Sequence, residues 1–257
     1  MPPRPLSPDR EFITSDTEID PKFTLKDEDI AFKFPSSLHY LFDGAPSIVQ
    51  LRDLTRLPAG QWWNDALVDY ALSKSTLVCT SHFYTQYTAH GYESIQKWSK
   101  RRDPFTYQNI VIPVHLGNHW LVVIICDPSL LTSDHPEQRA LVFSLDSLGD
   151  TCEAIRKSMC DWLLKEAEMR SKPIISPPVT MSLKVALQPN TCDCGPYMVH
   201  NLDRFMRHRD TLVAHIIMEQ LMIIWHPKLA KHRRRFIADH CKVTRRDWIG
   251  QDSIDKA

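Results

Sequence analysis

Continuous apolar runs near the middle of the chain predict a group of buried strands. NIVIPV at 109–114 and HWLVVIIC at 119–126 are rich in β-branched residues and almost free of polar ones, which is typical of strands covered on both faces. LGN at 116–118 is expected to form the turn between them. RALVFSLD at 139–146 and SLKVALQ at 182–188 predict two further strands. We therefore expect a sheet at the centre of the fold.

Apolar residues at helical spacing occur before, between and after these strands. Helices are predicted at residues 61–74, 151–170, 196–208 and 211–225, with Thr151 as the expected cap of the second. The positions that follow one side of that second helix are Ile155, Met159, Trp162, Leu163 and Glu166. Strands in the middle with helices at both ends predict an α+β fold.

Composition and charge exclude several classes of protein. The chain has 257 residues, of which 43% are hydrophobic and 24% charged, as in ordinary soluble proteins. The formal net charge is zero, so no overall field attracts nucleic acid or a membrane surface. The longest apolar run, WLVVIIC at 120–126, is far shorter than the roughly 18 residues that a membrane span needs. MPPRPLSPDR at the N-terminus lacks the apolar core of a signal peptide.

Seven cysteines are spread irregularly along the chain: Cys79, Cys126, Cys152, Cys160, Cys192, Cys194 and Cys241. An odd number in a domain of this size does not suit a disulfide framework. We therefore expect a reducing compartment, the nucleus or the cytosol.

The two ends of the chain differ from the middle. Residues 1–40 contain several prolines and no sustained periodicity, so we expect a flexible N-terminal lead or an arm lying on a single domain at 41–250. The stretch 228–246 carries eight Lys or Arg against Asp239. This stretch is either a solvated helix face or a surface for an acidic partner.

A histidine and an aspartate are expected to meet at one edge of the sheet. If the strands at 119–126 and 139–146 pair antiparallel with Cys126 near Arg139, His119 falls beside Asp146. A carboxylate beside an imidazole fixes its tautomer and stabilises its protonated form. Taken singly, the histidine also fits an ordinary strand end, and the aspartate fits a turn in DSLGD.

The segment QPNTCDCGPY at 188–197 contains two cysteines one residue apart. Pro196 suits the first position of a helix, which places Cys194 at a helix N-terminus, where the dipole and the free N–H groups favour a thiolate. Cys192 lies in the preceding loop and lacks that advantage. We therefore interpret Cys194 as a nucleophile.

Two further interpretations concern the same segment. Gln188 stands six residues before Cys194 at the end of a predicted strand, where its amide can donate to a developing oxyanion beside the Cys194 N–H. Zinc is the alternative for the cysteine pair, but Cys-x-Cys is not the usual spacing and no second pair completes four ligands. His200 would add only one more ligand.

Four motifs in this order resemble the Ulp/SENP family of cysteine proteases, which process SUMO and related ubiquitin-like proteins. They are WWNDALVDYAL, HWLVVI, LDSL and QPNTCDCG, and together the match spans about residues 50–210. The sequence departs from the family pattern at Trp63, where a leucine is usual, and at Pro196, where an aliphatic residue is usual. The stretch from Lys97 to Pro128 is more similar to the branch that trims SUMO chains than to the branch that matures SUMO.

The resemblance implies a papain-like, adenain/Ulp-type α+β fold with a central mixed sheet flanked by helices. It implies a monomeric cysteine isopeptidase that cleaves after the C-terminal Gly-Gly of SUMO and needs no metal or other cofactor. Trp62 and Trp120 would form a flat tunnel over the diglycine tail, and Asp65 would contact a basic side chain of the modifier. The implied catalytic residues are His119, Asp146, Gln188 and Cys194.

Three other functions remain open at this point. One is a protease for a different ubiquitin-like modifier, such as NEDD8. Another is a SUMO-binding module with weak or no catalysis, which the complete catalytic set disfavours. The last is an acetyltransferase built on the same fold, which the tryptophan pair disfavours.

Overall fold

The computed structural model describes residues 30–34, 47–72, 78–100, 103–134, 138–214, 225–230 and 232–254. The strands are β1 (Ile30–Phe34), β2 (Ser47–Gln50), β3 (Asn109–Leu116), β4 (His119–Cys126), β5 (Leu141–Leu145) and β6 (Val179–Leu183). The helices are α1 (Leu51–Leu54), α2 (Asp65–Leu72), α3 (Phe83–His90), α4 (Tyr92–Ser99), α5 (Glu153–Met169), α6 (Cys194–Arg207), α7 (Arg209–Ala214), α8 (Pro227–Ala230) and α9 (Arg233–Ile254).

A four-stranded sheet in the order β3-β4-β5-β6 forms the centre of the molecule. The first three strands are antiparallel, and β6 runs parallel to β5, so the sheet is mixed. Alternate residues of β4 enter two different cores: Val122 and Ile124 pack with α6, and Val123 and Ile125 pack with α5. Burial on both faces explains the continuous apolar run, and the predicted α+β architecture is confirmed.

The strands β5 and β6 differ from the predicted ones. The β4–β5 pairs run from Val122↔Leu145 to Cys126↔Leu141, a register shifted by two residues from the expected one. The predicted strand at 182–188 is mostly wrong, because β6 ends at Leu183. The apolar character further along comes from Val185 and Ala186, which pack into the core from a loop without belonging to the ladder.

The helix α5 confirms the predicted inner side but not the predicted cap. Each of the five positions expected on one side is buried. The N-cap is Cys152, whose backbone is left-handed (φ 52°), and Thr151 does not cap the helix with its side chain. Helix α6 begins at Cys194, so Pro196 is its third residue. The missing N–H of Pro196 breaks no helical bond there, because N–H groups of the first turn have no partner within the helix.

The first described strand packs onto the core. Strand β1 lies within the stretch for which a lead or arm is expected, and it pairs antiparallel with β2. Ala31 and Val49 are fully buried in the core that contains α6. The rest of residues 1–40, and most of the predicted helix at 211–225 beyond α7, lie outside the described residues.

None of the seven cysteines, all within the described ranges, forms a disulfide. Within the same ranges, no helix combines the length and apolarity required to cross a bilayer.

A buried carboxylate joins α4 to α5. Glu166 accepts hydrogen bonds from the Tyr92 hydroxyl (2.7 Å), the Ser99 hydroxyl (2.9 Å) and Arg170 Nε (2.8 Å). A glutamate therefore occupies the buried side of an otherwise apolar helix face, because three donors compensate the cost of its burial.

We expect Glu166→Ala to lower the free energy of unfolding by about 3 kcal/mol, because it removes the shared acceptor of three donors. Glu168→Ala is the matched control: this residue is exposed on the same helix and pairs only with Lys165, so its loss should cost less than about 0.5 kcal/mol. Urea denaturation measures both values. Equal effects of the two substitutions would contradict the role given to the buried network.

Candidate active site

The imidazole of His119 and the carboxylate of Asp146 are in direct contact. His119 is the first residue of β4, and Asp146 follows the last residue of β5. His119 Nε2 lies 2.5 Å from Asp146 Oδ1. The predicted meeting is confirmed although the predicted register is wrong. A shift by two residues keeps every side chain on the same face of the sheet, and diagonal neighbours two positions apart remain within reach of each other.

The Asp146 carboxylate is held by the turn that follows it. The Leu148 N–H donates to Oδ1 and the Asp150 N–H to Oδ2, each at 3.0 Å. Gly149 makes the turn possible with a positive φ of 83°. Burial acts to raise the pKa of Asp146, but the hydrogen bonds from His119 and from these backbone N–H groups outweigh it and lower the pKa below its ordinary value. The carboxylate is therefore ionised and fixed in direction.

Two residues that the sequence analysis missed support this turn. Arg156 Nη1 donates to the Ser144 hydroxyl (2.8 Å) and to the Thr151 carbonyl oxygen. The Cys152 Sγ lies 3.8 Å from Asp146 Oδ2. Burial, followed by the nearby carboxylates of Asp146 and Asp150, raises the pKa of Cys152 to about 12, so this thiol stays neutral and can donate.

The thiol of Cys194 completes the site. Cys194 is the buried first residue of α6. Its Sγ lies 3.9 Å from the carbonyl oxygen of Asn118, the residue before His119, and it is close enough to His119 to influence the pKa of that imidazole. Burial acts to lower the pKa of His119, but the hydrogen bonds and charges of Asp146 and Cys194 outweigh it and raise the pKa to about 9. The imidazolium form therefore persists at neutral pH, and a cation there stabilises a thiolate beside it.

The second cysteine of the pair has a different environment. Cys192 lies in the loop before α6 and is partly exposed. Its backbone N–H and its Sγ both donate to Asn190 Oδ1, at 3.1 and 3.3 Å. Neither a helix terminus nor His119 assists this thiol, so the contrast drawn between the two cysteines holds in the structure.

Gln188 lies beside the site in a loop, five residues after β6 ends, rather than at the end of a strand as predicted. Its backbone N–H donates to the Ser147 carbonyl oxygen (2.9 Å), and its Oε1 accepts from the Ser147 hydroxyl (2.6 Å). Its Nε2 donates to the Asn190 carbonyl oxygen at 2.5 Å. An amide nitrogen carries two N–H donors, so the bond to Asn190 uses one of them.

The two tryptophans that were expected to act together differ in exposure. Trp62 is 40% exposed, whereas Trp120 is 1% exposed. Trp120 Nε1 donates to the Trp63 carbonyl oxygen (3.0 Å), and its ring stacks on His115 with centroids 4.4 Å apart. Trp120 therefore supports the backbone of the segment at residues 62–64, here called the tryptophan segment, and the Trp62 side chain is exposed to solvent.

The tryptophan segment packs against the start of helix α6, next to Cys194. Trp63 is buried, and its Cβ lies 3.1 Å from the place that a Cβ on Gly195 would occupy, so only glycine fits after the cysteine without a shift. Asn64 caps α2 by accepting the Leu67 N–H at 3.3 Å. Asp65, the predicted modifier contact, is the first residue of this helix and is half-buried.

The zinc alternative finds no ligand set in the part of the chain that the structure describes. No group of three or more His, Cys, Asp or Glu side chains there is arranged to hold a metal ion.

Together the geometry defines a thiol–imidazole–carboxylate site on an α+β scaffold, with the thiol at a helix N-terminus. Residues 66–240 match the Ulp1 protease family, C-terminal catalytic domain. The match covers more than half of the chain, and the chain belongs to this family.

Relatives with curated names are longer than this chain. The Schizosaccharomyces pombe protein named ubiquitin-like-specific protease 2 is 26% identical over 239 residues, which cover 72% of this chain and 37% of that protein. The Arabidopsis thaliana protein named probable ubiquitin-like-specific protease 2A is 30% identical over 125 residues, which cover 45% of this chain and 16% of that protein. The chain thus spans well under half the length of these relatives.

Solved structures share the fold. A crystal structure of a de-sumoylating protease superposes with a TM-score of 0.69 at 20% identity, covering 86% of this chain and 96% of that one. The C-terminal Ulp1 protease domain in complex with Smt3, the yeast ortholog of SUMO, superposes with a TM-score of 0.56 at 22% identity, covering 77% and 84%. The predicted Ulp-type fold is confirmed by these likenesses.

We expect Asp146→Asn to lower the pKa of His119 from about 9 by at least about one unit, because the substitution removes the carboxylate that stabilises the imidazolium. A raised pKa stabilises the fold fully below the ordinary histidine value of 6.5, and this contribution is lost as the pH rises through about 9. NMR titration of the histidine side chains, assigned with His119→Gln, measures the midpoint.

Asp150→Asn is the matched control, because this carboxylate lies in the same turn but accepts from Thr151 and Cys152 instead. In this variant the titration midpoint of His119 should equal that of the wild type. An unchanged midpoint in Asp146→Asn would show that the contact does not set the charge of the histidine.

Proposed function

We propose that this chain is a cysteine isopeptidase and peptidase that cleaves after the C-terminal Gly-Gly of SUMO and removes SUMO from conjugated lysines. The observation that carries the proposal is the His119–Asp146 contact of 2.5 Å with the Cys194 thiol at the start of α6, held at the Asn118 carbonyl oxygen directly before His119. Membership in the Ulp1 protease family supports the reaction class. The solved complex of a structural neighbour with a SUMO ortholog supports the substrate.

The reaction follows from the chemistry of the site. In the proposal the proton of Cys194 rests on His119 as a thiolate–imidazolium pair, and Asp146 orients the ring and stabilises its cation. The thiolate attacks the carbonyl carbon after the diglycine, and the tetrahedral oxyanion accepts hydrogen bonds from the Cys194 N–H and the Gln188 amide. His119 then protonates the leaving amine, which is a lysine side chain in an isopeptide. Water attacks the thioester, with His119 as general base, and releases the modifier.

Substrate selection is assigned to three residues outside the catalytic row. In the proposal, the aromatic rings of Trp62 and Trp120 screen for a thin Gly-Gly tail. Because SUMO, ubiquitin and NEDD8 all end in Gly-Gly, discrimination among them has to come from the globular face of the modifier. Asp65, at the start of α2, is the proposed reader of a basic side chain on that face. The expected setting is the nucleus or cytosol, where thiols stay reduced.

We expect Cys194→Ala to lower turnover of a SUMO conjugate at least about a thousandfold and to leave conjugate binding intact, because only the nucleophile is lost. Cys192→Ala is the matched control and should be nearly silent. Cleavage of a SUMO-linked lysine peptide and a binding titration measure the two properties. An inactive Cys192→Ala with an active Cys194→Ala would show that Cys192, and not Cys194, is the nucleophile.

We expect SUMO probes of equal reactivity to label the enzyme faster than ubiquitin or NEDD8 probes, and SUMO chains to be cleaved faster than a SUMO precursor. The preference for chains depends on the resemblance of the stretch from Lys97 to Pro128 to the chain-trimming branch. Labelling rates and gel-based cleavage measure both. Faster labelling by NEDD8 would contradict the modifier, and faster precursor cleavage would contradict only the branch.

A substitution at Asp65 tests the same selection from the enzyme side. Asp65→Asn should slow labelling by SUMO, and the difference from wild type should shrink as salt is added, because exposed charge pairs are screened. Asp161→Asn is the control, since Asp161 is exposed on α5. Equal labelling by the two variants would contradict the role of Asp65.

A further inference from the structure

One arginine of the C-terminal helix α9 contacts the loop directly before Cys194 (residues 188–193), here called the nucleophile loop. Arg234 is the second residue of α9, and its side chain is only 9% exposed. Its Nε and Nη2 both donate to Asp193 Oδ1, at 3.1 and 2.7 Å. Asp193 immediately precedes Cys194. The guanidinium therefore reaches the residue next to the nucleophile from a helix about forty positions further along the chain.

The remaining donors of the same guanidinium bind backbone carbonyls on two separate segments. Nη2 donates to the Cys192 carbonyl oxygen (3.1 Å). Nη1 donates to the carbonyl oxygens of Arg56 and Pro58, both at 3.1 Å. One side chain thus joins the loop before Cys194 to the segment that leads into the tryptophans. Such a planar, multiply bonded arrangement suits arginine and not lysine.

The ring of Trp63 also contacts the Arg234 guanidinium. The Arg234 Cζ lies 5.7 Å from the centre of the Trp63 ring, within the range of a cation–π contact. Trp63 also packs against Gly195, the residue after the nucleophile. The residues on both sides of Cys194 are therefore held, one by the arginine and the other by the ring beneath it.

Charge gives this arrangement a chemical consequence. A carboxylate next to a cysteine opposes formation of the thiolate, because like charges repel. The ion pair with Arg234 compensates the Asp193 carboxylate. A nearly buried pair of this kind is weakly screened by salt.

We propose that Arg234 is a positioning residue for Cys194: it fixes the loop that carries the nucleophile against the tryptophan segment, and it neutralises the neighbouring Asp193. The inference rests on the proposed function in taking Cys194 as the nucleophile. It also divides the basic stretch at 228–246 into two kinds of residue. Arg234 faces inward, whereas the neighbouring Arg235 has an 88% exposed side chain.

Alkylation of Cys194 by iodoacetamide, followed by mass spectrometry across a pH series, tests the proposal on the full chain. We expect Arg234→Gln to slow alkylation at pH 7 about tenfold, because an unpaired carboxylate then lies beside the thiolate. Cleavage of a SUMO–fluorophore substrate should lose kcat by a similar factor with little change in KM, since the proposal gives Arg234 a role in positioning Cys194 and none in binding substrate.

Three further variants separate charge from packing. Asp193→Asn keeps the carbonyl bonds of Arg234 and removes the opposing charge, so alkylation should be as fast as in the wild type or faster. Arg234→Lys keeps the charge but loses the planar set of hydrogen bonds, so its alkylation rate should fall between those of Arg234→Gln and the wild type. Adding Asp193→Asn to Arg234→Gln should recover most of the lost rate, and Arg235→Gln should alkylate as the wild type does.

Thermal unfolding identifies any variant that fails to fold. If Arg234→Gln fails to fold, the Asp193→Asn and Arg234→Lys variants decide the proposal. Wild-type alkylation and kcat in a folded Arg234→Gln would overturn it. Asp193→Asn as slow as Arg234→Gln would overturn the charge account. A protein that cleaves no modifier, yet alkylates in an Arg234-dependent way, would contradict the proposed function and leave the positioning role intact.

Discussion

The hydrogen bond between His119 and Asp146 is the contact on which the rest of the site depends. It forms where the antiparallel pair β4–β5 ends, so both side chains lie beyond the ladder and are free to turn toward each other. The carboxylate is already fixed by backbone N–H groups of the following turn. A group oriented in advance needs no rearrangement when charge develops during a reaction. The raised pKa of His119 is the electrostatic result of that preorganisation.

The nucleophile arrives from a different layer of the molecule. Helix α6 packs against one face of the sheet, and α5 packs against the other. The first residue of α6, Cys194, comes to the edge where β4 begins, so the helix dipole and the imidazolium both favour the thiolate. Because each group stands at or directly beside the end of a packed strand or helix, the rigid core largely sets its position.

Segments from several parts of the chain hold the remaining parts of the site. Trp63 lies under Gly195, Trp120 holds the Trp63 carbonyl, and Arg234 joins the tryptophan segment to the nucleophile loop. Segments near both ends of the described chain therefore meet around one cysteine. The basic character of the C-terminal helix is in part a requirement of this packing. Among its exposed cations, Lys242 and Arg246 have carboxylate neighbours on the same helix.

Local chemistry was readable from the sequence, because it depends on residues that are close along the chain. The continuous run of β4 showed its burial on both faces, the Cys-Gly-Pro segment showed a helix N-terminus, and the inner side of α5 followed from its spacing. The pairing of His119 with Asp146 was also correct, since an error of two residues in register preserves the face. Only the tertiary structure decided that Gln188 lies in a loop, that Trp120 is buried, and that Arg234 turns inward while Arg235 does not. Those features depend on packing between segments that are distant in sequence, and neither spacing nor composition records which distant carbonyl or carboxylate a side chain will meet.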